Sequence, residues 1–314
     1  MFTLDLSKTK EILECGTVVE NEMMNNHTTL RIGGPARYFI SVSDEDELKE
    51  LLNYFTAEKI PYFILGNGSN ILVSDEGYDG VIIKLDGDFN SVFVEIEKGE
   101  GANKDGIVLE AGAASLLSVV SKKAYSASLK GLEFAAGIPG TVGGAVTMNA
   151  GAYGSEMKDV VKEVRALVGD GEQFVIKTIA GRNMDFSYRH SKVKDIPMVV
   201  LSVTFSLHPG NSSEIKALMD ELNQKRKEKQ PLMYPSAGST FKRPEGNFAG
   251  KLIEEAGLKG YAVGDACVSD MHAGFCINKG SASFKDFKQL MDYVSDTVYD
   301  KSGVRLEPEV IILE

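Results

Sequence analysis

An α+β fold is what this 314-residue sequence predicts. Three observations point there. Short strand-like runs crowd the stretch from 81 to 207, with one helical pattern among them. Beyond residue 211 the apolar spacing turns helical. Between the two regimes stands His208-Pro209-Gly210-Asn211, a cluster of turn formers and a candidate boundary. Strands and helices that segregate in this way, instead of alternating, argue against a doubly wound sheet.

Residues 44–60 place Leu48, Leu51, Leu52 and Phe55 on one helical face, with Ser43 as the expected N-cap. Pro61–Leu65 reads as a short buried strand that stops at Gly66. Strands are expected over 81–85, 91–96 and 107–110, then a helix over 116–126. Three more strands follow at 160–168, 173–179 and 198–207. Ser212–Lys229 is a long charged helix with Ile215, Leu218, Met219 and Leu222 on one side. Helices at 248–256 and 284–299 and a strand over 304–313 complete the pattern. No internal repeat is evident.

Lys and Arg number 34 against 45 Asp and Glu, a net charge of −11. That excludes nonspecific nucleic-acid binding and adhesion to anionic lipid, so any phosphate must be held locally. The N-terminus M-F-T-L-D-L-S-K-T-K-E has no apolar core of a signal peptide, and no segment reads as a membrane span. Three cysteines, an odd number, fit a reducing cytoplasm. Cys267, His272 and Cys276 are closely spaced, but Cys276 lies in the apolar run A-G-F-C-I-N and no fourth ligand is evident, so no metal is expected.

Two glycine-rich elements carry the chemistry. The longer runs from Leu132 to Gly154, L-E-F-A-A-G-I-P-G-T-V-G-G-A-V-T-M-N-A-G-A-Y-G. Its glycines and proline rule out a membrane helix and suit a backbone that approaches another group closely. The shorter, Gly66-Asn67-Gly68-Ser69-Asn70, follows a predicted strand and suits a phosphate-cradling loop or an ordinary turn. It is not the Rossmann fingerprint, because Ile71 stands where the third glycine belongs, and no Walker A sequence occurs. A dinucleotide site would need another architecture.

With N-H-T-T-L-R-I-G-G-P at 26–35, the pair becomes specific. The chain resembles the UDP-N-acetylenolpyruvoylglucosamine reductase family of flavoenzymes. The matching strings are T-L-R-I-G-G-P (29–35), G-N-G-S-N-I-L-V (66–73), G-L-E-F-A-A-G-I-P-G-T-V-G-G-A (131–145) and M-N-A-G-A-Y-G (148–154). Y-R-H-S (188–191), A-G-S-T-F-K-R-P (237–244) and L-E-P-E-V (306–310) follow in family order. The resemblance implies an FAD-binding domain of the vanillyl-alcohol-oxidase type in two subdomains, 1–95 and 96–210, and a smaller α+β substrate domain, 211–314. It implies noncovalent FAD, since neither glycine-rich loop holds His or Cys. NADPH would be the reductant and UDP-N-acetylglucosamine enolpyruvate the acceptor, in a cytoplasmic enzyme, expected as a monomer, of peptidoglycan precursor synthesis.

Carried onto this chain, the family's cofactor contacts fall on Gly66, Asn67, Gly68, Ser69, Asn70, Ile138, Pro139, Gly140, Thr141, Gly143, Gly144, Ala145, Asn149, Ala150 and Gly151. Its proton-donor serine falls on Ser239, its carboxylate-binding arginine on Arg189, and its carboxylate near the enolate on Glu309, two residues after Glu307. Hydride addition to C3 leaves charge on C2 and the carboxylate. That charge needs a cation or donor group and an acid beside it. Tyr153, Tyr188 and Lys229 are candidate substrate contacts, with core packing and a solvated basic face as the alternative readings. His190 is read as a structural neighbour.

The chain departs from the pattern in places. Lys242-Arg243-Pro244 stands where some relatives read x-N-P, which makes Arg243 a candidate for a phosphate or the flavin. Gly264-Asp265-Ala266 carries Asp for Gly, and His272-Ala273-Gly274-Phe275 carries Gly where many relatives have Asn. The 153–188 interval is too short for the insertion of the longer type, so the resemblance is to the shorter, type II form. The competing readings are another FAD oxidoreductase of the same fold and a nucleotide-sugar binding protein without catalysis.

Overall fold

The structure is a computed structural model that describes residues 3–97 and 106–314. In chain order the helices are α1 (Leu6–Ile12), α2 (Glu45–Glu58), α3 (Leu117–Ser126), α4 (Val142–Thr147), α5 (Ser212–Lys229), α6 (Ala249–Glu255) and α7 (Phe284–Ser302). The first strands are β1 (Thr17–Met23), β2 (Pro35–Val42), β3 (Tyr62–Leu65), β4 (Ile71–Val73), β5 (Tyr78–Leu85), β6 (Val92–Glu97) and β7 (Gly106–Gly112). Then come β8 (Leu129–Lys130), β9 (Gly151–Ala152), β10 (Ser155–Glu156), β11 (Val161–Gly169), β12 (Phe174–Ala180), β13 (Met198–Ser206) and β14 (His208–Pro209). The last are β15 (Ala262–Val263), β16 (Ala266–Val268), β17 (Cys276–Asn278) and β18 (Ile311–Leu313). Helix and strand are mixed as the α+β expectation requires. None of the described helices is long and apolar enough to cross a membrane.

By contact the chain forms two compact units whose segments alternate along it. One holds 1–19, 39–66 and 81–224; the other holds 20–38, 67–80 and 225–314. His208-Pro209, expected as part of a boundary turn, pairs with Lys130 and Leu129 in the first unit, and the division falls inside α5.

The first unit is built on an antiparallel sheet in the order β12-β11-β13-β7-β6. β13 (M-V-V-L-S-V-T-F-S) is rich in β-branched residues and buries Val199, Val200, Leu201, Val203 and Phe205. α2 buries the expected Leu48, Leu51, Leu52 and Phe55. Its N-cap is Asp44, one residue after the expected Ser43: the carboxylate accepts from the amides of Asp46 at 2.8 Å and Glu47 at 3.1 Å. β3 pairs parallel with β5, Tyr62 opposite Val81. α5 departs from its pattern: Ile215 is buried, while Leu218 is 41% exposed.

The second unit packs α6 and α7 with β15, β16 and β17 around Leu30, Leu72, Phe241, Ile253, Phe287, Leu290 and Val294. α7 begins with a capping box, Ser283 accepting from the Asp286 amide at 3.0 Å while the Asp286 carboxylate accepts from the Ser283 amide. The Asp75 carboxylate also accepts from the amides of Phe284 at 2.8 Å and Lys285 at 3.2 Å. The expected strand over 304–313 shrinks to β18, parallel to β4. Pro308 lacks the N–H that a longer ladder would use.

Candidate active site

In the first unit the long glycine-rich element is a compact turn around Thr141. The Thr141 hydroxyl caps α4 by accepting from the Gly144 amide at 3.3 Å. A Cβ on Gly66 would stand 2.8 Å from that hydroxyl, and one on Gly143 would stand 3.1 Å from the Ala113 Cβ. These glycines serve close packing. The Val142 amide donates to Ser115 O and the Gly143 amide to Ala113 O, both at 2.9 Å, so neither is left for an anion. Pro139 and Gly144 are exposed, Ile138 and Gly140 half-buried, and Ala145 buried.

Asn149 is fully buried and holds the next turn. Its amide nitrogen donates to Glu156 at 2.9 Å and to Ser187 O at 3.0 Å, and its oxygen accepts from the Lys158 amide at 3.0 Å. Ala150 is tied back to α4 through its amide, 2.8 Å from Ala145 O. Gly151 pairs with Glu156 across the β9–β10 hairpin. Tyr153 and Gly154 are the two turn residues of that hairpin, at φ +55° and +92°, and the Tyr153 ring is 48% exposed. Lys158, 2.7 Å away, holds the Glu156 carboxyl below its ordinary range, with help from Asn149 and from the charge of Arg189.

Y-R-H-S is a tight turn closed by Ser187 and His190, whose amides and carbonyls exchange bonds of 3.1 and 3.2 Å. The buried Ser191 hydroxyl donates to Thr147 O at 3.1 Å and anchors the turn to α4. Arg189 sits at its apex with φ +57°, its guanidinium 4.9 Å above the ring of the exposed Tyr188. His190 faces Asp195 at 2.9 Å. The first unit thus brings Asn149, Glu156, Tyr188 and Arg189 together. A planar guanidinium held this way suits a carboxylate.

In the second unit, Gly68 has φ +61°, and a Cβ there would lie 1.9 Å from His27 O. Thr29 fixes the loop by donating its amide to Gly68 O at 3.1 Å and its hydroxyl to Ser236 O at 2.6 Å. The amides of Gly68 and Ser69 have no hydrogen-bond partner among the described residues. Uncommitted successive amides at a residue without Cβ form a concavity that suits a phosphate, so this loop fits the diphosphate of FAD. Asn67 is exposed and Asn70 half-buried.

The same unit joins three motifs that are far apart in sequence. Asn70 donates its side-chain amide to Glu309 O at 3.1 Å. The Glu309 amide donates to Thr240 O at 2.9 Å, and the Lys242 amide to Glu307 O at 2.8 Å. On the other flank, Thr240 donates its amide to Gly274 O and accepts from the Cys276 amide, at 2.9 and 2.8 Å. Thr240 is therefore held from both sides, and Ser239, half-buried, directly precedes it in the chain. The Glu307 carboxylate is engaged at the surface by Lys242 at 3.1 Å. The exposed Arg243 lies 3.9 Å over the Phe248 ring, and Lys229 is exposed in the last turn of α5.

Of the residues that tie the motifs together, Thr29 lies in a string the sequence singles out, whereas Asn278 (which donates to Leu30 O at 3.0 Å) and Glu156 carry no signal in the sequence read locally. Cys267 and Cys276 are buried in adjacent strands, and burial pushes the Cys276 thiol up to about 12. His272 is held below its ordinary range by burial, its Nδ1 accepting from the Gly274 amide. The described residues include no group of three His, Cys, Asp or Glu fit to hold a metal.

Comparison with known proteins covers nearly all of the chain. The family described as "FAD binding domain" matches residues 36–177, and "UDP-N-acetylenolpyruvoylglucosamine reductase, C-terminal domain" matches 230–313. The UDP-N-acetylenolpyruvoylglucosamine reductase of Caldanaerobacter subterraneus subsp. tengcongensis is 51% identical over 98% of this chain and 97% of its own. The protein of that name from Agathobacter rectalis is 49% identical over 97% of this chain and 96% of its own. The solved UDP-N-acetylenolpyruvylglucosamine reductase of Thermus caldophilus superposes with a TM-score of 0.78 at 35% identity, covering 95% of this chain and 99% of that one.

Proposed function

The chain belongs to the UDP-N-acetylenolpyruvoylglucosamine reductase family, and on that premise we propose that it reduces UDP-N-acetylglucosamine enolpyruvate to UDP-N-acetylmuramate. NADPH is the electron source and FAD the carrier, in the synthesis of peptidoglycan precursors. What carries the reading is the near-complete match, 51% identity over 98% of the chain, together with the FAD-domain match over 36–177. The uncommitted amides of Gly68 and Ser69 support a bound diphosphate.

When bound, FAD supplies hydride chemistry between the nicotinamide and C3 of the enolpyruvyl group. The residues of the chain hold and protonate. Arg189 binds the enolpyruvyl carboxylate through two parallel hydrogen bonds, and as charge grows there its attraction grows with it. Ser239 gives its hydroxyl proton to C2. A serine is a weak acid in water, and it serves because its acceptor is a strongly basic carbon and because the next residue, Thr240, is anchored on both sides. Glu309, anchored to Asn70 and Thr240 through its backbone, orients the proton donor. Lys229 and Arg243 are assigned to the diphosphate, and Tyr153 and Tyr188 to substrate contacts. Pro139, Gly140, Thr141 and Asn67–Asn70 are assigned to the cofactor. Asn149, with its polar groups committed inside the chain, acts by positioning.

The test is NADPH oxidation by FAD-loaded protein with and without the enolpyruvyl sugar nucleotide. The expected result is turnover that depends on the sugar nucleotide. Flavin reduction that never passes to it would move the assignment to another FAD oxidoreductase. Ser239→Ala should lower sugar-nucleotide reduction by roughly 10²-fold or more and leave flavin reduction by NADPH intact. Loss of both steps would remove Ser239 from its role.

A further inference from the structure

Between α5 and the Ser239 loop the chain leaves two things unprovided for. The side-chain oxygen of Gln230 is buried and has no hydrogen-bond partner among the described residues. Two to four residues on, Leu232 is 53% exposed, Met233 93% and Tyr234 44%. Folded chains rarely leave a buried carbonyl without a donor. They also seldom display three large apolar side chains in a row.

The segment is not loose. The Leu232 amide donates to Gln230 O at 2.8 Å and the Tyr234 amide to Pro231 O at 3.1 Å. Pro235 O accepts from the Asn278 amide at 2.9 Å, and Ser236 bridges to Ile277. Pro231 and Pro235 fix φ at either end. A firm turn therefore holds these apolar side chains out in solvent, immediately after Lys229 and just before Ser239. Gln230 opens the stretch matched by the reductase C-terminal domain, well outside the stretch matched by the FAD domain.

We propose that Gln230–Tyr234 is a strap against the enolpyruvyl sugar nucleotide. The half-buried Gln230 side chain turns outward on binding so that its carboxamide oxygen accepts a hydrogen bond from the substrate, and Leu232 and Met233 cover the apolar parts of the substrate. The inference rests on the function proposed above. A carbonyl oxygen only accepts, so its partner is an N–H or O–H of the substrate (uracil, acetamido group or hydroxyl) and not the diphosphate. The free protein carries the unpaired oxygen and the complex relieves it, so the bond counts toward affinity and selects a donor at that position of the ligand.

Gln230→Met keeps the length of the side chain and removes the acceptor. The expected result is a dissociation constant for the enolpyruvyl sugar nucleotide raised about tenfold. FAD affinity is unchanged, and the melting temperature is equal to or above that of the wild type because an unpaired buried group has gone. In the wild type, amide hydrogen exchange at 232–236 slows on adding the sugar nucleotide and not on adding FAD. Met233→Ser, at a site too exposed to unfold the chain, raises KM several-fold more than it lowers kcat. Substrate affinity unchanged in Gln230→Met overturns the proposal, and so does weakened FAD binding or a lowered melting temperature with binding intact. Wild-type protein that neither binds nor reduces the sugar nucleotide would instead remove the function on which the strap depends.

Discussion

Asn149, Tyr153 and Arg189 share a left-handed backbone that residues with side chains seldom adopt. Each is held there by its surroundings: Asn149 by three hydrogen bonds, Tyr153 by a two-residue hairpin turn, Arg189 by the Ser187–His190 closure. Glu156 is the charge beneath them. Its folded-state pKa is depressed, chiefly by Lys158, so the stability it contributes is present above the ordinary glutamate pKa and is lost as pH falls through the folded value. Urea unfolding of wild type and Glu156→Gln should therefore differ at pH 7 and converge well below pH 4.5. A difference that persists in acid would assign the effect to packing. The thiols offer a second check. Cys15 is exposed while Cys267 and Cys276 are buried, the latter with its thiol at about 12. A thiol reagent should thus modify one cysteine in the native protein and three after denaturation. The proposed roles of Arg189 in carboxylate binding and Ser239 in proton donation come from Y-R-H-S and A-G-S-T-F only through their resemblance to a family. Read alone, Ser239 is a turn serine. Its link to Glu309 runs through backbone bonds between residues some 70 positions apart, which no local pattern encodes.

At the scale of elements, capping decides more than periodicity does. α7 carries two N-terminal devices, its own capping box and the carboxylate of Asp75. Ser283→Ala should cost about 1 kcal/mol by denaturant unfolding. Ser283→Ala with Asp75→Ala should cost more than the sum, because each cap covers in part for the other. Additive costs would mean independent caps. The loop at Gly68 is less forgiving. Gly68→Ala needs both a left-handed alanine and a Cβ 1.9 Å from His27 O, so it should lower the melting temperature and FAD retention together. Helices α2, α3, α5, α6 and α7 and the long strands β11, β12 and β13 were legible because burial imposes a period of 3.6 or 2 on them. Helices α1 and α4 and strands β1 and β2 carried no expectation. β4, β15, β16 and β17 were missed as well. Each has only two or three residues, too few to show a period, and exists through its tertiary partners. The N-cap of α2 slipped by one because Ser43 and Asp44 are both good caps, and only the backbone path decides between them.

At the scale of the molecule, a net charge of −11 leaves phosphate binding to local groups, and ligand should add to stability by mass action. FAD at about a hundred times its dissociation constant should contribute about 2.7 kcal/mol, read as a rise in melting temperature that grows with FAD concentration. The alternation of segments between the two units was invisible in the sequence, because composition shifts mark where character changes along a chain and not which distant stretches pack together. One pairing carries this into the life of the molecule. The Ile311 amide donates to Asn70 O and Glu309 O accepts from the Asn70 side chain, so the shorter glycine loop is braced by residues that a ribosome adds some 240 positions later. During synthesis that loop waits half-finished while nearly all of the remaining chain is made. The cofactor should therefore be taken up after translation and not during it, and chains stalled before residue 309 should emerge without flavin, as natural clients for chaperones and proteases.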